Sequence, residues 1–66
     1  MIFIITFDRE EDGRWIAEIE QIPGALAYGT NREEAKANVE ALALRVLADR
    51  IEIAKTSTDR ILFAMA

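Results

Sequence analysis

The sequence predicts an α+β fold of order β-β-β-α-β. This is a three-stranded antiparallel meander with one long helix on one face and a C-terminal strand added to the sheet. Three observations carry the prediction. A β-branched, apolar opening run is followed by a turn signal and a second, alternating run. A Pro-Gly pair and a helix-start pattern then fall within the short stretch "IPGALAYGTNREEA". Beyond Gly29 the chain contains no Gly or Pro to interrupt a long helix.

Each element has its own local reason. Ile2 to Phe7 is apolar apart from Thr6 and suits a pleated, half-buried surface. "DREEDGR" is polar and carries Asp12-Gly13, a strong hairpin signal. "WIAEIE" resumes as a second strand, with Trp15, Ala17 and Ile19 on one face and Ile16, Glu18 and Glu20 on the other. Pro23-Gly24 fits the centre of a type II turn, where Pro sets φ and Gly accepts a positive φ. Gly29 is read in the same way, as a turn glycine. "ALAYG" is just long enough for a short third strand. Thr30 followed by Glu33 reads as a capping box, the hydroxyl accepting from a free helical N–H and the carboxylate reaching back to the cap. Glu33 and Glu34 also suit the positive end of the helix dipole. The helix is expected from Asn31 to about Ile53; "AKTSTD" breaks the pattern and "RILFAM" is β-like again.

A chain of 66 residues is read as a single domain, residues 1–66, without repeats or linkers. At this size roughly 60% of the unfolded surface is buried on folding, and small domains draw on disulfides, metals or partners for the remainder. With no Cys and no His, disulfides, thiol nucleophiles and the usual zinc ligands are excluded together. Hydrophobic content is nevertheless 52%, so oligomerisation or a partner is the expected source of extra stability. "MIFIITF" has no basic leader and reaches Asp8 too early for a spanning segment, so a cytoplasmic location without membrane contact is expected. The net charge of −4 arises entirely from residues 8–20, the acidic Asp8, Glu10, Glu11, Asp12, Glu18 and Glu20 outweighing Arg9 and Arg14. That argues against direct nucleic-acid binding, which needs basic groups to neutralise phosphates, and favours a basic protein partner.

Two apolar surfaces exceed what one helix on one sheet requires. At about 100° per residue, Ala35, Val39, Leu42, Val46 and Ile53 form the seam expected against the sheet. Ala37, Ala41, Leu44, Ala48 and Ile51 form a second, nearly opposite stripe, with Leu47 on its flank. On the first strand Phe3, Ile5 and Phe7 can face the helix, leaving Ile2 and Ile4 on the other side together with Ile16. Contiguous exposed apolar patches usually mark contact surfaces. An oligomer contact on this second face is one expectation, and an open sheet edge that recruits a partner strand is another.

Catalytic groups are sparse. Asp8, Glu18 and Glu20 are the one set of carboxylates that could converge on a divalent cation, but alternating carboxylates on a strand face are more often simply solvated. Glu10-Glu11-Asp12 reads as a solubilising loop tip, and Gly24 and Gly29 lack the spacing of a phosphate-cradling loop. Trp15 is a core anchor, although Trp is also favoured at interface hot spots. Without His or Cys the commonest base and strongest nucleophile are missing, so no enzymatic activity and no cofactor are expected.

The run "FDREEDGRWIAEIEQIPGALAYGTNREEAKANVEAL" resembles the HicB family of type II antitoxins. The resemblance rests on Asp12, Gly13, Trp15, Pro23, Gly24, Gly29, Thr30, Glu33, Glu34, Ala35, Asn38, Glu40, Ala41 and Leu42, in order and spacing. It implies a partial ribonuclease H-like fold without nuclease activity. It also implies self-association and binding to a small basic RNA-cleaving toxin of the HicA type, whose catalytic histidine the antitoxin blocks. Many members add a C-terminal DNA-binding domain; this chain resembles a short form without one. Ala25 stands where the family has Cys, and the helix exit "IAKTSTD" replaces the usual Gly-Glu followed by Pro. Solitary members without a toxin also exist.

Three functions are therefore open. The first is a non-catalytic binding module, an antitoxin that self-associates as a dimer or tetramer and neutralises a small basic toxin. The second is a solitary structural or regulatory homo-oligomer. The third, remote, is a metal-dependent hydrolase using Asp8, Glu18 and Glu20. The surface expected to meet a partner or a second copy comprises Ile2, Ile4, Ile16, Trp15, the loop Glu10, Glu11 and Asp12, and the helical Leu44, Leu47, Ala48 and Ile51.

Overall fold

Side-chain alternation sorts the opening hairpin onto two faces, and the structure, a computed structural model describing all 66 residues, follows it. Strands β1 (Ile2–Arg9) and β2 (Trp15–Ile19) pair antiparallel with Ile5 opposite Ile19 and Phe7 opposite Ala17. Gly13 closes the connection at φ 94°, its N–H donating to the Glu10 carbonyl at 2.9 Å. Strand β3 (Leu26–Gly29) pairs antiparallel with β2, and helix α1 (Arg32–Ala54) leads to β4 (Leu62–Met65), which lies parallel beside β1. The result is an α+β fold with one mixed four-stranded sheet in the order β3-β2-β1-β4.

The Pro23-Gly24 turn forms as expected. Gly24 has φ 83° and the Ala25 N–H donates to the Ile22 carbonyl at 3.0 Å, the type II pattern. The turn also buries Ile22 and Ala25 in the core. Gly29 departs from its expected role because its φ is not positive. A Cβ built there would lie 2.3 Å from the Ala35 nitrogen, so this glycine lets β3 run close under the first turn of the helix.

The helix cap is shifted by one residue from the sequence expectation. Asn31, not Thr30, is the N-cap, its side-chain oxygen accepting from the Glu34 N–H at 2.8 Å. Glu34, not Glu33, returns its carboxylate, accepting from the Thr30 N–H at 2.9 Å. Asn adopts the extended backbone that an N-cap requires (φ −143°, ψ 173°) and caps as well as Ser or Asp. At the other end Lys55 takes the left-handed conformation at φ 57° that glycine would favour, and its N–H donates to the Ile51 carbonyl.

The helical seam also differs from the straight stripe. The buried residues are Ala35, Val39, Ala43 and Leu47, spaced by four throughout. Such a row is inclined to the helix axis by about 26°, so the buried line drifts around the helix instead of following one fixed stripe. Two consequences overturn expectations. Leu47, expected on the outer flank, is a core residue at 6% exposure. Ile53, expected in the seam, is 76% exposed, because a helix of 23 residues runs roughly 35 Å and passes the end of the sheet.

Phe3, Ile5, Ala17, Ile19, Ile22 and Ala25 complete the core with the helical row, and no polar side chain is buried. Helix α1 packs on β3 and β2. The chain is elongated, with extents of 42 × 19 × 16 Å and a radius of gyration of 12.6 Å against about 10.8 Å for a compact domain of this length. Its accessible surface of 4646 Å² likewise exceeds the roughly 4200 Å² expected for a monomer of this mass.

Candidate functional site

With one helix on one side, the opposite face of the sheet is uncovered. Register places its residues in rows. Ile2 lies beside Leu62 and Ile4 beside Ala64, while Thr6 lies opposite Glu18 and Asp8 opposite Ile16; Ile16 and Glu18 in turn face Tyr28 and Leu26. Ile2 (57% exposed), Ile4, Leu26, Tyr28 and Leu62 are all open to solvent, and Ile16 is half-buried. Sequence reading identified Ile2, Ile4 and Ile16 as this face. It missed Leu26, Tyr28 and Leu62, although the same alternation applied to "LAYG" and "ILFAM" would have found them.

The carboxylates divide between this face and the hairpin tip. Asp8, Glu18 and Glu20 line one open depression of about 290 Å³ with Thr6, Phe7 and Ile16, and an adjoining hollow of about 360 Å³ is lined by Ile4, Thr6, Glu20 and Gln21. They share a face without converging: no group of three or more acidic side chains comes close enough to hold a metal ion. At the tip Glu11 and Asp12 are exposed and Glu10 is half-buried. Asp12 accepts from the Arg14 N–H at 3.0 Å and from Arg14 Nε at 2.8 Å. The main-chain bond is the largest influence holding its carboxyl below the ordinary value of 3.8, partial desolvation opposes it, and the guanidinium adds to it.

Three arginines stack over aromatic rings, a feature with no signal in sequence spacing. Arg9 lies 5.5 Å from the Trp15 centroid, Arg14 4.6 Å from Tyr28 and Arg32 4.3 Å from Phe7. Trp15 and Phe7 pack against the core from the hairpin end, where their rings are only partly covered. The guanidiniums and their apolar stems shield what remains exposed. Trp15 is thus a half-buried anchor, as the sequence suggested. On the helix, Ala37, Ala41, Leu44 and Ala48 form an exposed outer stripe, whereas Ile51 is half-buried.

No family model matches the chain, and comparisons with curated proteins and with solved structures return no match. No helix is long and apolar enough to cross a membrane.

Proposed function

We propose that this protein is a non-catalytic protein-binding module, an antitoxin of the HicB-like type with the partial ribonuclease H-like fold, which neutralises a small basic RNA-cleaving toxin. One observation carries the reading: an uncovered sheet face combines exposed Ile2, Ile4, Leu26 and Tyr28 with the carboxylates of Asp8, Glu18 and Glu20. An apolar surface with negative charge interspersed suits a basic partner that brings apolar side chains of its own. Residues 8–20 hold all of the chain's excess negative charge, which would also accelerate encounter with such a partner.

The test begins with the adjacent reading frame. A small, basic, His-containing protein encoded there should be retained by the purified chain at low salt and released as salt rises. Glu18→Lys with Glu20→Lys should weaken retention and restore RNA cleavage. Retention indifferent to salt and to both reversals would overturn the proposal, as would a neighbouring basic protein that is not retained at all.

A second reading, self-association, is favoured by a separate observation. Ile2, Ile4, Leu26, Leu62 and Met65 are exposed large apolar side chains on the sheet, an area that a second copy would cover. The two readings are compatible, because a sheet has edges as well as faces.

A further inference from the structure

We infer that two copies of this chain pair through β4, edge to edge and antiparallel, into one continuous eight-stranded sheet. This deepens the self-association reading and rests on it, by naming the surface, the register and the symmetry.

The two edges of the sheet are not equivalent. On β3 the outward main-chain groups belong to Leu26 and Tyr28, since the Ile19 N–H donates to Ala25 and bonded pairs alternate along the ladder. Half of these groups are already engaged. The Leu26 N–H donates to the Gly24 carbonyl at 3.0 Å, and Asn38 Nδ2 donates to the Tyr28 carbonyl at 2.8 Å. The turn and the helix thus each occupy one outward group and partly block this edge.

On β4 the N–H groups of Leu62 and Ala66 donate inward, to the Met1 and Ile5 carbonyls. By alternation Phe63 and Met65 turn both N–H and C=O outward, and no strand lies beyond them. Natural edges of this kind are blunted by charge, proline or a covering element. Here Ile61 to Ala66 contains no charged residue and no Pro, and α1 packs on the opposite half of the sheet. Leu62 (52% exposed) and Met65 (53%) stand open on the two faces of the strand.

The positions of the outward groups fix the register. A two-fold axis through Ala64, perpendicular to the sheet, sets Phe63 opposite Met65 of the second copy. Each such pair exchanges two bonds, so the four outward N–H groups of the two strands all find carbonyls. Ala64 faces its own counterpart as a non-bonded pair. Ile2, Ile4, Leu62 and Ala64 from both copies then form one apolar strip on the uncovered face. The carboxylates of Glu18 and Glu20 lie on or just after β2, a strand further from the axis, so like charges are kept apart. Both helices lie on the same side, over β2 and β3, where they leave the junction clear.

The absence of Cys from the natural chain makes the register directly testable. Cα atoms of a non-bonded antiparallel pair are about 4.5 Å apart and their Cβ atoms closer than in a bonded pair, within disulfide reach. Ala64→Cys should give a covalent dimer as the main product of mild oxidation, whereas Tyr28→Cys on the opposite edge should stay uncrosslinked. Met65→Pro removes an outward N–H without touching the ladder to β1, so it should weaken association by about 10- to 100-fold in sedimentation. Its circular dichroism should remain that of the folded chain. A wild-type chain that sediments as a monomer at tens of micromolar would overturn self-association altogether. A wild-type dimer in which Ala64→Cys fails to crosslink would overturn the β4 pairing alone.

Discussion

At Gly29 and Asp12 single side chains, or the lack of one, decide local geometry. Any Cβ at Gly29 would meet the backbone of Glu34 and Ala35, neither of which is a flexible side-chain tip that could swing away. Gly29→Ala should therefore cost about 3 kcal/mol, at or above the usual range for overpacking. Against a total stability of roughly 3–10 kcal/mol for this length, that is a large loss. Chemical denaturation of the two proteins would measure it, and a change under about 0.5 kcal/mol would contradict the close-approach account. Asp12 has the opposite character, an exposed carboxylate whose Arg14 partners favour its charged form. A depressed folded pKa contributes stability above the unfolded value and loses it as pH falls through the folded value. The acid limb of the stability curve, below about pH 4, should therefore be less steep in Asp12→Asn than in the natural chain. An NMR titration should place the Asp12 carboxyl below 3.8. The sequence marked both positions but assigned Gly29 the wrong reason, because a positive φ and a close approach both select glycine.

The elements themselves were legible, and their junctions were not. All four strands and the helix follow from alternation, turn residues and the lack of breakers, since these signals are local. The cap shows where local information ends. Thr30…Glu33 and Asn31…Glu34 are equally good on paper, being the same motif displaced by one residue. Packing chooses between them, because Gly29 must lie under Ala35 and this fixes where the helix begins. The structure then predicts a contrast that the sequence reading reverses. Asn31→Ala should cost about 1 kcal/mol, lowering the melting temperature by roughly 4–8 °C. Thr30→Ala should change it less, since the main-chain N–H keeps its 2.9 Å bond to Glu34 and only the long 3.4 Å hydroxyl bond to the same carboxylate is lost. Equal losses at both positions would indicate that the hydroxyl shares the capping role. The seam failed for a related reason. A stripe at fixed angle assumes a helix aligned with its contact line, whereas a row spaced by four drifts and carries Leu47 inward.

For the whole molecule, the question is which apolar residues serve the fold and which serve association. Adjacent positions on β1 separate the two. Ile5 is fully buried at the centre of the core, and Ile4 points to the uncovered face, between Ala64 of β4 and the hollow at Glu20 and Gln21. Ile5→Ala removes buried methyl groups and leaves a cavity that a small core cannot refill, so it should cost about 3 kcal/mol, within the usual range for such truncations. Ile4, 37% exposed, borders open solvent, so Ile4→Ala leaves no closed cavity and the isolated chain should lose about 1 kcal/mol, well under half the loss at Ile5. Partner binding should show the reverse order once both variants are compared in their folded states. Ile4→Ala should weaken retention of a basic partner, because it removes apolar area from the proposed docking face. A correctly folded fraction of Ile5→Ala should bind normally, its side chain being out of reach on the helix side. Thermal melts paired with a binding titration would measure both. If Ile4→Ala were as destabilising as Ile5→Ala in the isolated chain, the second face would be part of the folding core, and the docking assignment would fall.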